Sequence, residues 1–167
     1  MDFQKELIAE FDRETASTRK LLAAIPADAD LNYKPHPKSM SLGHLAGHVS
    51  DTAGEWSKAI LTMDKMEYSA DHKFEPYVPA STKELLERFD KQVAETKAVL
   101  AKFASGKWEE RWKFIFGGQT YIDEPKHQAF RTWGQNHLIH HRAQLGVYLR
   151  LLNKPIPGMY GPSADEM

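Results

Sequence analysis

Eight histidines and no cysteine bound the chemistry open to this chain. Five of them lie in two short stretches, SLGHLAGHVSDTAGEW and NHLIHHRAQLGVYLR, where imidazoles recur at a four-residue step: His44 and His48 in the first, His137 and His141 in the second, with His140 between. On a helix this step stacks two side chains one turn apart, roughly 6 Å along the axis, so that two rings can converge on one ion. The missing cysteines exclude disulfides, thiolate zinc sites, iron–sulfur clusters and cysteine nucleophiles, so any metal must bind through nitrogen or oxygen.

At about 100° per residue, Phe130, Gly134, His137, His141, Leu145, Tyr148 and Leu152 share one apolar stripe, which turns His137 and His141 inward and leaves His140 at the stripe's edge. A single buried histidine is ordinarily satisfied by a carbonyl or a neighbouring side chain. Two in register leave several ring nitrogens without partners on a helix poor in carboxylates, and a metal ion satisfies one nitrogen of each ring. In the first stretch His48 lies nearer the arc through Leu45, Val49, Thr52 and Trp56, whereas His44 projects toward the polar side. The expected site is therefore His48, His137 and His141 around zinc, nickel, iron or manganese, with at least one position open to water or substrate. With His44 as a fourth ligand it would instead close into a structural site. Asp51, Glu55 and Gln144 are candidates for orienting the imidazoles.

Other patterns carry less. Glu124 and His127 form one E-x-x-H, but a di-iron bundle needs two such motifs and two further glutamates, and this copy spans Pro125. His36 and His72 read as solvated, and the four tryptophans as core, with Trp133 one turn from His137. Ser41, Ser50 and Ser57 lack a Gly-x-Ser-x-Gly turn, and no phosphate-cradling glycine loop is present, so no catalytic residue is singled out.

Four amphipathic stretches must position the histidines. The first, from Phe3 to Ile25, stops at Pro26. A connection from Pro26 to Ser39 follows; its fourteen residues are enough to cross a bundle, which argues against simple up-down-up-down order. Ser41 or Ser39 can cap a second helix running from Leu42 to Met63. Residues 67 to 80 break the pattern. A third helix opens at Ser81 with Glu84 as capping-box partner, carries apolar residues to Phe103 and ends near Gly106. Residues 106 to 123 allow either a short strand pair or an irregular loop. The last helix is expected from about Asp123 or Glu124, with Pro125 in its first turn, to about Asn153; the tail IPGMYGPSADEM is not helical. The expected fold is all-α, a four-helix bundle with a long crossover, in one domain over residues 1–167.

Composition agrees with a globular protein: 41% of residues are hydrophobic and 27% charged, and mean hydropathy is −0.57. Twenty-two lysines and arginines against 23 acids give a net charge of −1, no broad electrostatic attraction for nucleic acid or an anionic membrane. No segment approaches the ~20 apolar residues that cross a bilayer, and the N-terminus lacks a secretion-signal layout, so a cytoplasmic location is expected.

PKSMSLGHLAGHVSDTAGEW, NHLIHHRAQLGVYLR and PGMYGPSADE, in this order, resemble the DinB family (the DinB/YfiT-like superfamily), and the likeness extends over essentially the whole chain. The resemblance implies a four-helix bundle with a long crossover, often a homodimer, holding a divalent metal on three histidines, here His48, His137 and His141. It further implies, for members with known chemistry, activation of a low-molecular-weight thiol such as bacillithiol, mycothiol or glutathione for transfer or isomerisation. A non-catalytic metal-stabilised module and a metal-dependent hydrolase are the alternatives.

Overall fold

The computed structural model describes residues 3–167. Helix α1 (Phe3–Ala23) buries Leu7, Phe11, Thr15, Thr18, Leu21 and Leu22 on one face, the three- and four-residue spacing of an amphipathic helix. The second bundle helix is α2 (Leu42–Asp51), a π-helical segment over Thr52–Trp56, and α3 (Ser57–Thr62). Its N-cap is Ser41, whose hydroxyl accepts the His44 backbone N–H at 3.2 Å. Helix α4 (Thr82–Ala101) is capped in the same way by Ser81, while Glu84 reaches back to accept the Ala80 N–H at 2.8 Å. The fourth bundle helix is α5 (Lys126–Ala129), a second π-helical segment over Phe130–Asn136, and α6 (His137–Leu151).

Two clusters fill the bundle, one at each end. The first joins Leu21, Leu22 and Ile25 with Leu42, Leu45, Leu85, Phe89, Leu145 and Leu149; the second joins Leu7 and Phe11 with Ile60, Leu61, Leu100, Trp112 and Phe130. The end of α1 thus lies with the starts of α2 and α4 and the end of α6. The bundle is not simply up-down-up-down, as expected, but its crossover is elsewhere than after the first helix. The segment from Pro26 to Ser39 folds into local turns (Ala29 to Pro26, Tyr33 to Asp30, Ser39 to His36) and returns at the same end. Residues 63–81 run the length of the bundle instead, since the second helix ends where α1 begins and α4 starts where α1 ends. This strap is sealed onto α2 at Gly47, where a Cβ would lie 2.0 Å from the Tyr77 carbonyl oxygen.

The molecule is not strictly all-α. Strands β1 (Lys65–Tyr68), β2 (Arg111–Phe116) and β3 (Gln119–Pro125) form one sheet in that order, β1 parallel to β2 with Lys65 opposite Lys113, and β3 antiparallel to β2. The strand pair admitted for residues 106–123 is present, with Gly117 and Gly118 at φ 57° and 78° making the tight turn. Strand β1 falls where only a break in helical pattern was read. The last helix also begins later than expected: Asp123 and Glu124 belong to β3, and Pro125 is the N-cap of α5. Trp112, fully buried, anchors the sheet in the second cluster.

Candidate metal centre

Each histidine of the expected trio sits beside one of the two π-helical segments. His48 lies four residues before Thr52, and His137 directly follows Asn136. A π segment inserts a residue into the helical ladder, shifts the side chains on either side, and is frequent at functional sites. Glycines let the segments pack closely: a Cβ on Gly134 would lie 2.7 Å from Ser57 Oγ, and one on Gly54 2.4 Å from Gln92 Cβ. Ser57 Oγ in turn donates to the Thr52 carbonyl at 3.0 Å, satisfying one backbone acceptor in the irregular turn.

The structure brings His48, His137 and His141 together. Nε2 of His137 lies 3.4 Å from Nε2 of His48 and 2.8 Å from Nε2 of His141, and the His48 and His141 rings stand nearly perpendicular with centroids 4.5 Å apart. Three nitrogens at ~2.0–2.1 Å from one ion are separated by roughly 3.0 Å at right angles and 3.4 Å at tetrahedral angles, so the spacing is close to that of a metal triad. Gln144 Oε1 accepts a hydrogen bond from Nδ1–H of His141 at 2.8 Å, which leaves the His141 Nε2 lone pair facing the other two rings. His137 Nδ1 is buried without an aligned hydrogen bond, although the Trp133 carbonyl acts on the ring from one turn earlier.

Burial, followed by repulsion from the neighbouring imidazoles, lowers His48 and His137 to about 4. His141 is also lowered, chiefly by burial, with Gln144 acting in the opposite sense. All three rings are therefore neutral near pH 7, each with one nitrogen free to carry a lone pair. Hydrogen bonding between rings can satisfy only one pair of these nitrogens at a time. A cation satisfies all three, so the residues present fit a divalent metal, and among the described residues they form the one group of His, Cys, Asp or Glu with this property.

The other histidines remain outside. His44 is half-buried beside His48, at a cleft, and its pKa is lowered first by burial and then by Lys34. His140 is exposed and meets the Gln144 amide nitrogen at 3.1 Å. His36 accepts the Lys38 N–H, and His127 contacts the Trp108 carbonyl at 3.1 Å beside Glu109, away from the trio. Of the three residues expected to orient imidazoles, only Gln144 does so. Asp51 and Glu55 instead receive the Arg88 guanidinium at 2.8 and 2.7 Å, with Gln92 beside them.

Sequence reasoning missed the surroundings of the site. Trp56 meets the His137 ring edge-on at 6.2 Å and begins an aromatic wall continued by Phe114 and Tyr68. Arg142, next to His141, is buried against Glu14 at 2.8 Å and hydrogen-bonds Tyr160 of the tail. The signals available were glycines inside helices, at Gly54 and Gly134, where propensity alone disfavours them.

The DinB family model matches residues 1–167. Among solved structures, a DinB-like protein from Bacillus cereus ATCC 10987 is similar at TM-score 0.64 and 24% identity, covering 89% of this chain and 92% of that one. A DinB-like protein (YjoA) from Bacillus subtilis is similar at TM-score 0.67 and 17% identity, covering 97% and 98%. No curated protein matches the chain.

Proposed function

The chain belongs to the DinB family, and from that premise and the convergent histidines we propose that it binds a divalent metal (zinc, nickel, iron or manganese) through His48, His137 and His141, and works as a metal-dependent transferase on a low-molecular-weight thiol of the bacillithiol, mycothiol or glutathione type. The observation that carries the reading is the convergence of three neutral Nε2 atoms, at 3.4 and 2.8 Å, beside an open cleft. When bound, a dication on three uncharged ligands lowers the pKa of a thiol or water that reaches it. Gln144 holds the His141 ring in the tautomer that points Nε2 inward. Trp56 covers the His137 side, and among the described residues His44 is the only other histidine at the cleft wall besides His48 and His72. The three-histidine set leaves room for a substrate, which favours an enzyme over a closed structural site.

Metal-loaded protein is expected to couple a thiol to a model electrophile at a rate that depends on added metal and disappears in His141→Ala. Metal binding without turnover of any thiol would leave the non-catalytic module; turnover of an ester or amide with water alone would favour hydrolysis. Among the described residues no helix is long and apolar enough to cross a membrane. We further propose a single cytoplasmic domain over residues 1–167 acting as a homodimer, since Val147 and Leu151 on α6 are 59% and 54% exposed. Light scattering at micromolar concentration checks the dimer, and a monomer there overturns it.

A further inference from the structure

A cleft of about 700 Å³ opens beside the trio at His48 and Trp56, a volume suited to a small molecule. One wall is a run of rings: Trp56 to Phe114 at 5.6 Å, Phe114 to Tyr68 at 6.1 Å, and Tyr68 to Phe74 at 4.9 Å. Phe74 is 55% exposed at the cleft; it stands on the strap, held in place where Tyr77 seals against Gly47.

The charges oppose an anion. Asp51, Glu55 and Glu75 line the cleft against one cation, Lys73. Arg88 binds Asp51 and Glu55 from outside the lining and offsets one of the three carboxylates, so with Lys73 the cleft stays acidic on balance. Flat rings attract apolar and cationic groups through their faces, and carboxylates add to the second preference.

We propose that this cleft receives the body of the electrophile rather than of the thiol, and that this body is a flat aromatic group that is uncharged or cationic. The proposal rests on the metal-centre reading only for what happens at the substrate's reacting end; the aromatic seat itself is formed by Trp56, Tyr68, Phe74 and Phe114. It narrows the class of electrophile, because a ligand rich in carboxylates would meet the acidic side of the cleft, where Lys73 alone of the lining residues carries a fixed positive charge against Asp51, Glu55 and Glu75.

The test is a titration of the full chain, followed by NMR of the tryptophan indole N–H groups, with benzylamine, benzyl alcohol, benzoate and butylamine. It is run on metal-free and on zinc-loaded protein, because benzoate can also ligate zinc directly. In the metal-free protein benzylamine and benzyl alcohol are expected to shift the Trp56 indole, with benzoate and butylamine roughly tenfold weaker. Phe74→Ala and Tyr68→Ala are expected to weaken benzylamine by a similar factor and leave zinc affinity unchanged. Equal binding of benzoate, no shift at Trp56, or indifference to both substitutions overturns the proposal. Zinc titration is read separately, so failure of the metal centre and failure of the aromatic seat are distinguishable.

Discussion

Gln144 Oε1 accepts a hydrogen bond from Nδ1–H of His141 at 2.8 Å, and in doing so aims the opposite nitrogen at His137. The interaction sets which nitrogen carries the lone pair, a role that outer partners of metal-binding histidines commonly play. Gln144→Ala is expected to weaken zinc binding by about 10–100-fold, and Gln144→Glu, which keeps the acceptor, to restore most of it. Calorimetric titration reads both. Equal affinity in the alanine variant would show that the ring holds its orientation without help.

Gly134 and Ser57 are in close contact across the two π-helical segments. A methyl group on Gly134 would lie 2.7 Å from Ser57 Oγ but 3.7 Å from its Cβ. Gly134→Ala is expected to cost about 1–3 kcal/mol in urea denaturation, as overpacking does. Ser57→Ala forfeits the bond to Thr52 and is destabilising alone, yet the double variant is expected to be more stable than the sum of the two effects. Strict additivity would mean that the helices part freely at this point.

Arg142 and Glu14 form a buried pair at 2.8 Å, with side chains 3% and 9% exposed. Arg142→Met leaves the Glu14 carboxylate without its cation and is expected to cost about 3–5 kcal/mol. Adding Glu14→Gln removes the stranded charge and is expected to recover a large part of the loss. Urea midpoints of the single and double variants decide, and no recovery would mean that the arginine contributes through packing alone.

The C-terminal tail is expected to detach in acid before the bundle unfolds. Asp165 is held below its ordinary value first by the Arg150 hydrogen bond and then by the Ile156 N–H, and Glu166 by the backbone N–H groups of Gly158 and Ser163. Since both folded values lie below the unfolded ones, their contribution is present above the ordinary carboxylate range and is lost as pH falls through the lowered folded values. Pepsin cleavage between residues 156 and 163, set against helical circular dichroism, follows this. A tail that stays resistant until the helices melt would show that Tyr160 and Arg142 suffice to hold it.

Much of the bundle could be read from spacing alone, because burial on a helix repeats every three or four residues and Ser41 and Ser81 announce their helices. His48 was separable from His44 on the same ground. Strand β1 was hidden because four residues with alternating half-burial leave little pattern, and its partner lies some 48 residues away, as Lys65 opposite Lys113 requires. The start of the last helix was misplaced because Pro125 favours a first helical turn and also suits the extended residue just before one. The site's wall was invisible for another reason: Trp56, Tyr68 and Phe114 come from a helix and two strands, and only tertiary structure makes them neighbours.

The small sheet also acts as a gauge between the halves of the centre. Strand β1 follows the helix bearing His48 after two residues, and β3 passes straight into the helix bearing His137 and His141. A slip of one residue in the pairing would displace one helix against the other by about 3.3 Å, more than the ~2.0–2.1 Å length of a bond from nitrogen to zinc. Strand register and the spacing of His48 from His137 and His141 are therefore a single setting, and drift in the hairpin is tolerable at its glycine tip but not along its rungs.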